Sequence, residues 1–149
     1  MNSEANILRL IDEARIARLA QLDFEQQVHA IPFVFVRLDK TLYSPVDGKP
    51  KRHAKLSRLA WVEEAPSVTV LIDEYQEDWT QLWWLRIYGE AKVIRADAPN
   101  WDLIAEKLRE RYPQYAAPPS GVELFNGEPT MLSIEIGRWR SWFAENAAC

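Results

Sequence analysis

Cysteine is nearly absent: the one thiol among 149 residues, Cys149, is the last. No intrachain disulfide can form, a thiolate metal site is excluded, and a reducing cytoplasm is the expected setting. Histidine is scarce too, and neither His29 nor His53 stands at ligand spacing from another His or Cys, so no metal is expected. The glycines form neither Gly-x-Gly-x-x-Gly nor Gly-x-x-x-x-Gly-Lys-Ser/Thr, and a Gly-x-Ser-x-Gly elbow is missing. Phosphate cradling by a glycine loop and self-contained nucleophilic catalysis are therefore set aside, and no catalytic residue is assigned. The N-terminus lacks the basic start and apolar core of a signal peptide. No apolar run approaches the roughly 20 residues of a membrane helix, so no membrane partner is expected. Acids outnumber bases, giving a net charge of −4, which speaks against a nucleic-acid partner.

What is present fits a single domain over residues 1–149, long enough to bury a core. Tryptophan is plentiful, with seven residues at 61, 79, 83, 84, 101, 139 and 142. Its amphipathic ring suits ligand walls and interfaces as well as cores. The acidic chain also carries one concentrated basic run, Lys49 to Arg58, with five cations and no acid. The run enters a helix-like stretch, where the macrodipole already favours anions over cations. A bound anion such as a phosphate offsets both effects, and here side chains would hold it.

Apolar periodicity predicts a short helix over 6–14, with Ile7, Leu8, Leu10 and Ile11 on one stripe. Strands follow over 15–22, 28–38 and 41–46, read as a three-stranded meander turning at Asp39-Lys40. Leu56, Leu59, Ala60 and Val62 mark a linking helix that ends before Pro66. Strands over 67–72 and 82–94 form a long hairpin, with Gly89 at a bulge or bend. A helix over 99–112, a long loop over 114–129 and a last strand over 130–136 complete the chain. The expected class is α+β, mainly β with peripheral helices.

A β-rich domain with a Lys/Arg cradle after its third strand and many aromatic walls suits a flavin-like cofactor. Such a group carries the redox chemistry itself, which accounts for the missing acid–base motif. At this point the chain resembles the pyridoxamine 5′-phosphate oxidase-like split β-barrel family, and within it the small deazaflavin-dependent subfamily. The resemblance runs through Ala17-Arg-Leu-Ala20, His29 to Phe35, Leu42 to Arg52, Val68 to Tyr75, Glu77-Asp-Trp79, Leu82 to Arg86, Arg111 to Tyr115, and Arg138-Trp139 with Trp142. It implies a six-stranded antiparallel split barrel of the FMN-binding type, homodimeric, with a cofactor site in each cleft between subunits. The implied cofactor is FMN or a deazaflavin of the F-420 type, and the implied activity is hydride transfer to or from a small organic substrate. The same resemblance places Tyr43, Ser44, Lys49, Lys51 and Arg52 around the phosphate and Ile31 and Pro32 along the ring. Trp84 and Trp139 would be contributed by the partner subunit. A non-catalytic flavin- or ligand-binding protein of the same fold is the alternative.

Overall fold

A computed structural model describes residues 3–47, 54–116, 121–125, 127–145 and 147. Helix α1 (Glu4–Glu13) opens the chain, its start capped by the Ser3 hydroxyl, which accepts from the Asn6 N–H at 3.1 Å. Strands β1 (Ala17–Leu22), β2 (Val28–Phe33), β3 (Val36–Leu38) and β4 (Thr41–Pro45) come next, then α2 (Ala54–Glu64). The hairpin of β5 (Ser67–Glu74) and β6 (Trp83–Arg95), helix α3 (Trp101–Arg111) and β7 (Thr130–Phe143) follow. All seven strands join one antiparallel sheet in the order β2-β1-β5-β6-β7-β4-β3.

Two expectations are corrected here. The apolar run 28–38 is not one strand but two, so the strands number seven rather than six, and the meander does not exist. β2 and β3 lie at opposite edges of the sheet although only Val34 and Phe35 separate them. Three Cα steps reach at most about 11 Å, whereas six strand spacings of a flat sheet measure about 29 Å. The sheet must therefore roll until its edges meet at this corner. Among the described residues no ladder joins β2 to β3, so the roll is not closed by hydrogen bonds.

The corner is set from far away in sequence. Tyr112, just after α3, accepts from the Phe35 N–H at 3.2 Å, and its hydroxyl lies 3.0 Å from the Phe35 carbonyl and 2.9 Å from that of Arg15. A backbone that leaves the ladder on both sides keeps its buried polar groups satisfied this way.

The second correction concerns β7, which continues past Ile136 to Phe143. The register slips between Tyr88 and Gly89, so that Tyr88 pairs with Arg138 while Gly89 pairs with Ile136, leaving Gly137 as the extra residue. This bulge resets the alternation, and both Ile136 and Trp139 face the core. Gly89 is required by close approach, because a Cβ there would sit 2.5 Å from the Glu135 carbonyl oxygen.

Alternation along the strands sends Leu19, Leu42, Val70, Leu85, Ile87 and Ile134 into the rolled sheet, with Ile7 and Ile11 of α1 and Val62 of α2 packed among them. A second cluster lies under α3, where Trp101, Ile104 and Leu108 meet Val36, Tyr112, Tyr115 and Met131. Helix α3 thus covers the outer side of β3, β4 and the first half of β7. No helix is long and apolar enough to cross a membrane among the described residues.

Candidate functional site

Strand β4 delivers the first group of site residues. Tyr43 and Ser44 are neighbours, so they point to opposite faces. Tyr43 packs against the cluster under α3, while Ser44 lines a narrow cavity with Arg58 and Leu59 of α2. Lys49, Lys51 and Arg52 lie outside the described residues. Both flanks of that segment are described: Asp47 is buried before it, and Arg58 is half-buried after it. The Tyr115 hydroxyl donates to Asp47 Oδ2 at 2.6 Å. Burial and the adjacent carboxylate push the Tyr115 phenol far above its ordinary value, so it remains a donor. Burial pulls the Arg58 guanidinium down, and the charge of Asp47 partly offsets this.

Helix α2 is tied to β1 and to β2 at one point each. Gln21 Nε2 donates to the Arg58 carbonyl at 3.2 Å, and His29 stacks on Trp61 with ring centroids 4.6 Å apart. His29 Nε2 also meets Asp23 Oδ2 at 2.8 Å. Asp23 is held below the usual carboxylate range, first by this bond and then by the Gln27 N–H.

The second group occupies the outer face of β2, β1, β5, β6 and the last half of β7, which no described helix covers. Register places Arg18, Leu71, Arg86 and Arg140 in one cross-strand row, with Trp84 opposite Trp142 and Tyr88 opposite Arg138 in the rows beside it. Arg86 lies 4.8 Å from the Trp84 ring and 5.7 Å from that of Tyr88, and Arg138 lies 4.0 Å from the Tyr88 ring. Such stacking stabilises cations over aromatic faces. Yet Arg86 directly opposite Arg140 is a like-charge pair, which is unfavourable. Among the described residues none of these arginines forms an ion pair, and Arg86 Nε is buried without an acceptor. Next to them runs an open groove of about 750 Å³, lined by Thr69, Tyr88, Glu135 and Arg138 over the two glycines of the bulge. The face is chemically ready for an anionic, planar partner.

The remaining predicted residues divide between these regions. Pro32 is exposed on the outer face, whereas Ile31 turns inward against the core. Trp84 is on the outer face, but Trp139 packs inward against the core, so the two do not share a surface of one chain. Trp83 likewise turns inward and stacks on Phe143. Sequence reasoning missed Asp47, Tyr115, Arg86 and Arg138. Only Arg58 left a signal, as the last cation of the basic run.

Residues 3–143 match the pyridoxamine 5′-phosphate oxidase family, and the chain belongs to it. Among solved structures it is similar to HutZ, a haem storage protein from Vibrio cholerae, at 16% identity and a TM-score of 0.68, covering 96% of this chain and 95% of that one. It is also similar to the conserved hypothetical protein Rv2991 from Mycobacterium tuberculosis, at 17% identity and a TM-score of 0.72, covering 96% and 86%. A third match, an FAD-binding protein from Mesorhizobium loti, has 17% identity and a TM-score of 0.65, covering 94% and 92%. No curated protein matches the chain.

Proposed function

We propose that the chain is a flavin- or deazaflavin-dependent oxidoreductase that transfers a hydride to or from a small organic substrate. The observation that carries this reading is the uncovered arginine–aromatic face beside Trp84, on a chain of the pyridoxamine 5′-phosphate oxidase family. Unpaired guanidinium groups stacked on rings suit a ligand that is both flat and negatively charged. The cofactor, FMN or a deazaflavin of the F-420 type, supplies the hydride chemistry when bound. The chain's own residues bind and orient it. Lys49, Lys51 and Arg52 hold the phosphate with Ser44, and Tyr43 stands at that end. Pro32 lines the ring, and a second copy of the chain brings Trp84 to the cleft. The homodimer buries Leu71, Trp84 and Trp142, which otherwise lie on an uncovered sheet face. The expected setting is the cytoplasm.

The test is a fluorescence titration of cofactor-free protein with FMN and with the deazaflavin, repeated on a Lys51→Ala, Arg52→Ala double variant. Losing charge-assisted phosphate contacts weakens binding by about tenfold or more. Unchanged affinity in the double variant removes those residues from the site. A second reading is favoured by a neighbour that is a haem storage protein: a non-catalytic flavin- or ligand-binding protein of the same fold. Tight cofactor binding without turnover, whatever reductant or acceptor is supplied, would select it.

A further inference from the structure

Resting on the homodimer of the reading above, we infer how its two copies meet. The outer sheet face docks on itself about a two-fold axis that crosses the strands at the row of Tyr88 and Arg138, which sets Arg86 and Arg140 on the partner subunit's Glu90 and Glu135. The register of β6 against β7 fixes the pattern. Arg86 is paired with Arg140, Tyr88 with Arg138, and Glu90 with Glu135. Alternation along β6 puts all three rows on the outer face, about 7 Å apart, with the cations on one side of the middle row and the acids on the other. Each of these outer rows is a pair of like charges directly opposite, which is unfavourable within one chain. Among the described residues none of the four charged side chains forms an ion pair, and Arg86 Nε is buried without an acceptor.

Shape repeats the pattern of charge. Trp84, Arg86, Arg140 and Trp142 bring large side chains to one side of the middle row. The other side is the groove of about 750 Å³, bordered by Glu90 and Glu135, over Gly89 and Gly137 and the small Ser67 and Thr69. A self-complementary face can meet its copy in two simple ways. An axis along the strands lays arginines on arginines and glutamates on glutamates, and such like-charge contacts across an interface are strongly unfavourable. An axis across the strands lays each arginine row on the partner subunit's glutamate row, so both like-charge pairs are neutralised and large side chains enter a groove twice. Arg18 lies opposite Pro32, and the β1 position two rows away is Leu22. Arg18 therefore meets no acid in this arrangement, nor does Arg138 on the axis row, stacked on Tyr88, so both remain for the anionic ligand.

The experiment measures the dimer dissociation constant by analytical ultracentrifugation, with circular dichroism as the check on folding. It compares wild type, the double variant Arg86→Glu, Arg140→Glu, the double variant Glu90→Arg, Glu135→Arg, and the quadruple variant carrying all four changes. Each double variant should dimerise about a hundredfold more weakly or worse, because both rows then carry one sign. The quadruple variant should return to within about tenfold of wild type, since its rows are exchanged but still complementary. Double variants that dimerise like wild type, or a quadruple variant as weak as the doubles, overturn this register and leave the dimer standing. A monomeric wild type removes the shared-cleft reading itself, and the register with it. Where a double variant does not fold, salt decides: raising the ionic strength from about 0.1 M to about 1 M should weaken the wild-type dimer by about tenfold or more, and an unchanged dissociation constant overturns the pairing.

Discussion

Replacing Tyr112 by Phe removes one oxygen from the corner that allows the sheet to roll. That oxygen accepts from the Phe35 N–H at 3.2 Å and from Arg111 Nε at 3.2 Å, and it lies 2.9 Å from the Arg15 carbonyl, to which it donates. Arg111 keeps its contacts to the Asp12 and Ala14 carbonyls. Phe35 has no such reserve, because it lies between the two edge strands and is buried. Leaving a buried N–H without an acceptor costs about 1–3 kcal/mol. With an unfolding entropy of about 2.1 cal/mol/K per residue, 149 residues give about 0.3 kcal/mol/K. The melting temperature of Tyr112→Phe should therefore fall by about 3–10 °C. Calorimetry measures the shift, and hydrogen exchange at the Phe35 amide localises it, since that amide should lose protection more than its neighbours in β2. A shift under about 1 °C, with Phe35 still protected, would show that the corner is held by packing and refute the argument.

Three further outcomes are expected. Gly89→Ala places a Cβ 2.5 Å from the Glu135 carbonyl oxygen and 2.9 Å from Ile134 Cγ2, so urea denaturation should show a loss of about 1–3 kcal/mol, and an unchanged midpoint would mean that the bulge yields. Asp23 has a lowered folded-state pKa, so its contribution is complete above about pH 4 and is lost as the pH falls through that lowered value. The melting-temperature gap between wild type and Asp23→Ala should narrow as the pH falls from about 4 to about 2, and a constant gap would count against the Asp23–His29 pair. Leu71→Arg adds another cation to the row of Arg18, Arg86 and Arg140, so light scattering should find a dimer in wild type and a monomer in the variant, whereas a monomeric wild type would remove the shared cleft.

Helix positions were legible because local periodicity specifies them: the stripe of Ile7, Leu10 and Ile11 is buried as read, and the helix expected over 99–112 forms over Trp101–Arg111. The corner at Val34 and Phe35 was not, since both residues are apolar and β-compatible, and the hydroxyl that bends the chain there arrives from Tyr112, 77 residues after Phe35. The true end of β7 was hidden similarly. Gly137 followed by Arg138 looks like a strand terminus, and only the register against β6 reveals a bulge. That unseen bulge also turned Trp139 inward, away from the face of Trp84. At the candidate site, charge density drew attention to the basic run, but the Tyr115–Asp47 bond spans 68 residues and leaves no local pattern.

The separation of β2 from β3 has a consequence for how the chain comes together in time. β4 pairs with β7, nearly ninety residues later, and β1 pairs with β5 across an intervening helix. During synthesis the β3–β4 hairpin therefore emerges early but lacks its neighbour until β7 has been made. Contacts of such long range make folding slow, on the order of milliseconds to seconds. A chain cut before residue 130 would strand β6 and β4 without their shared partner, exposing one long and one short hydrogen-bonding edge to association with other chains.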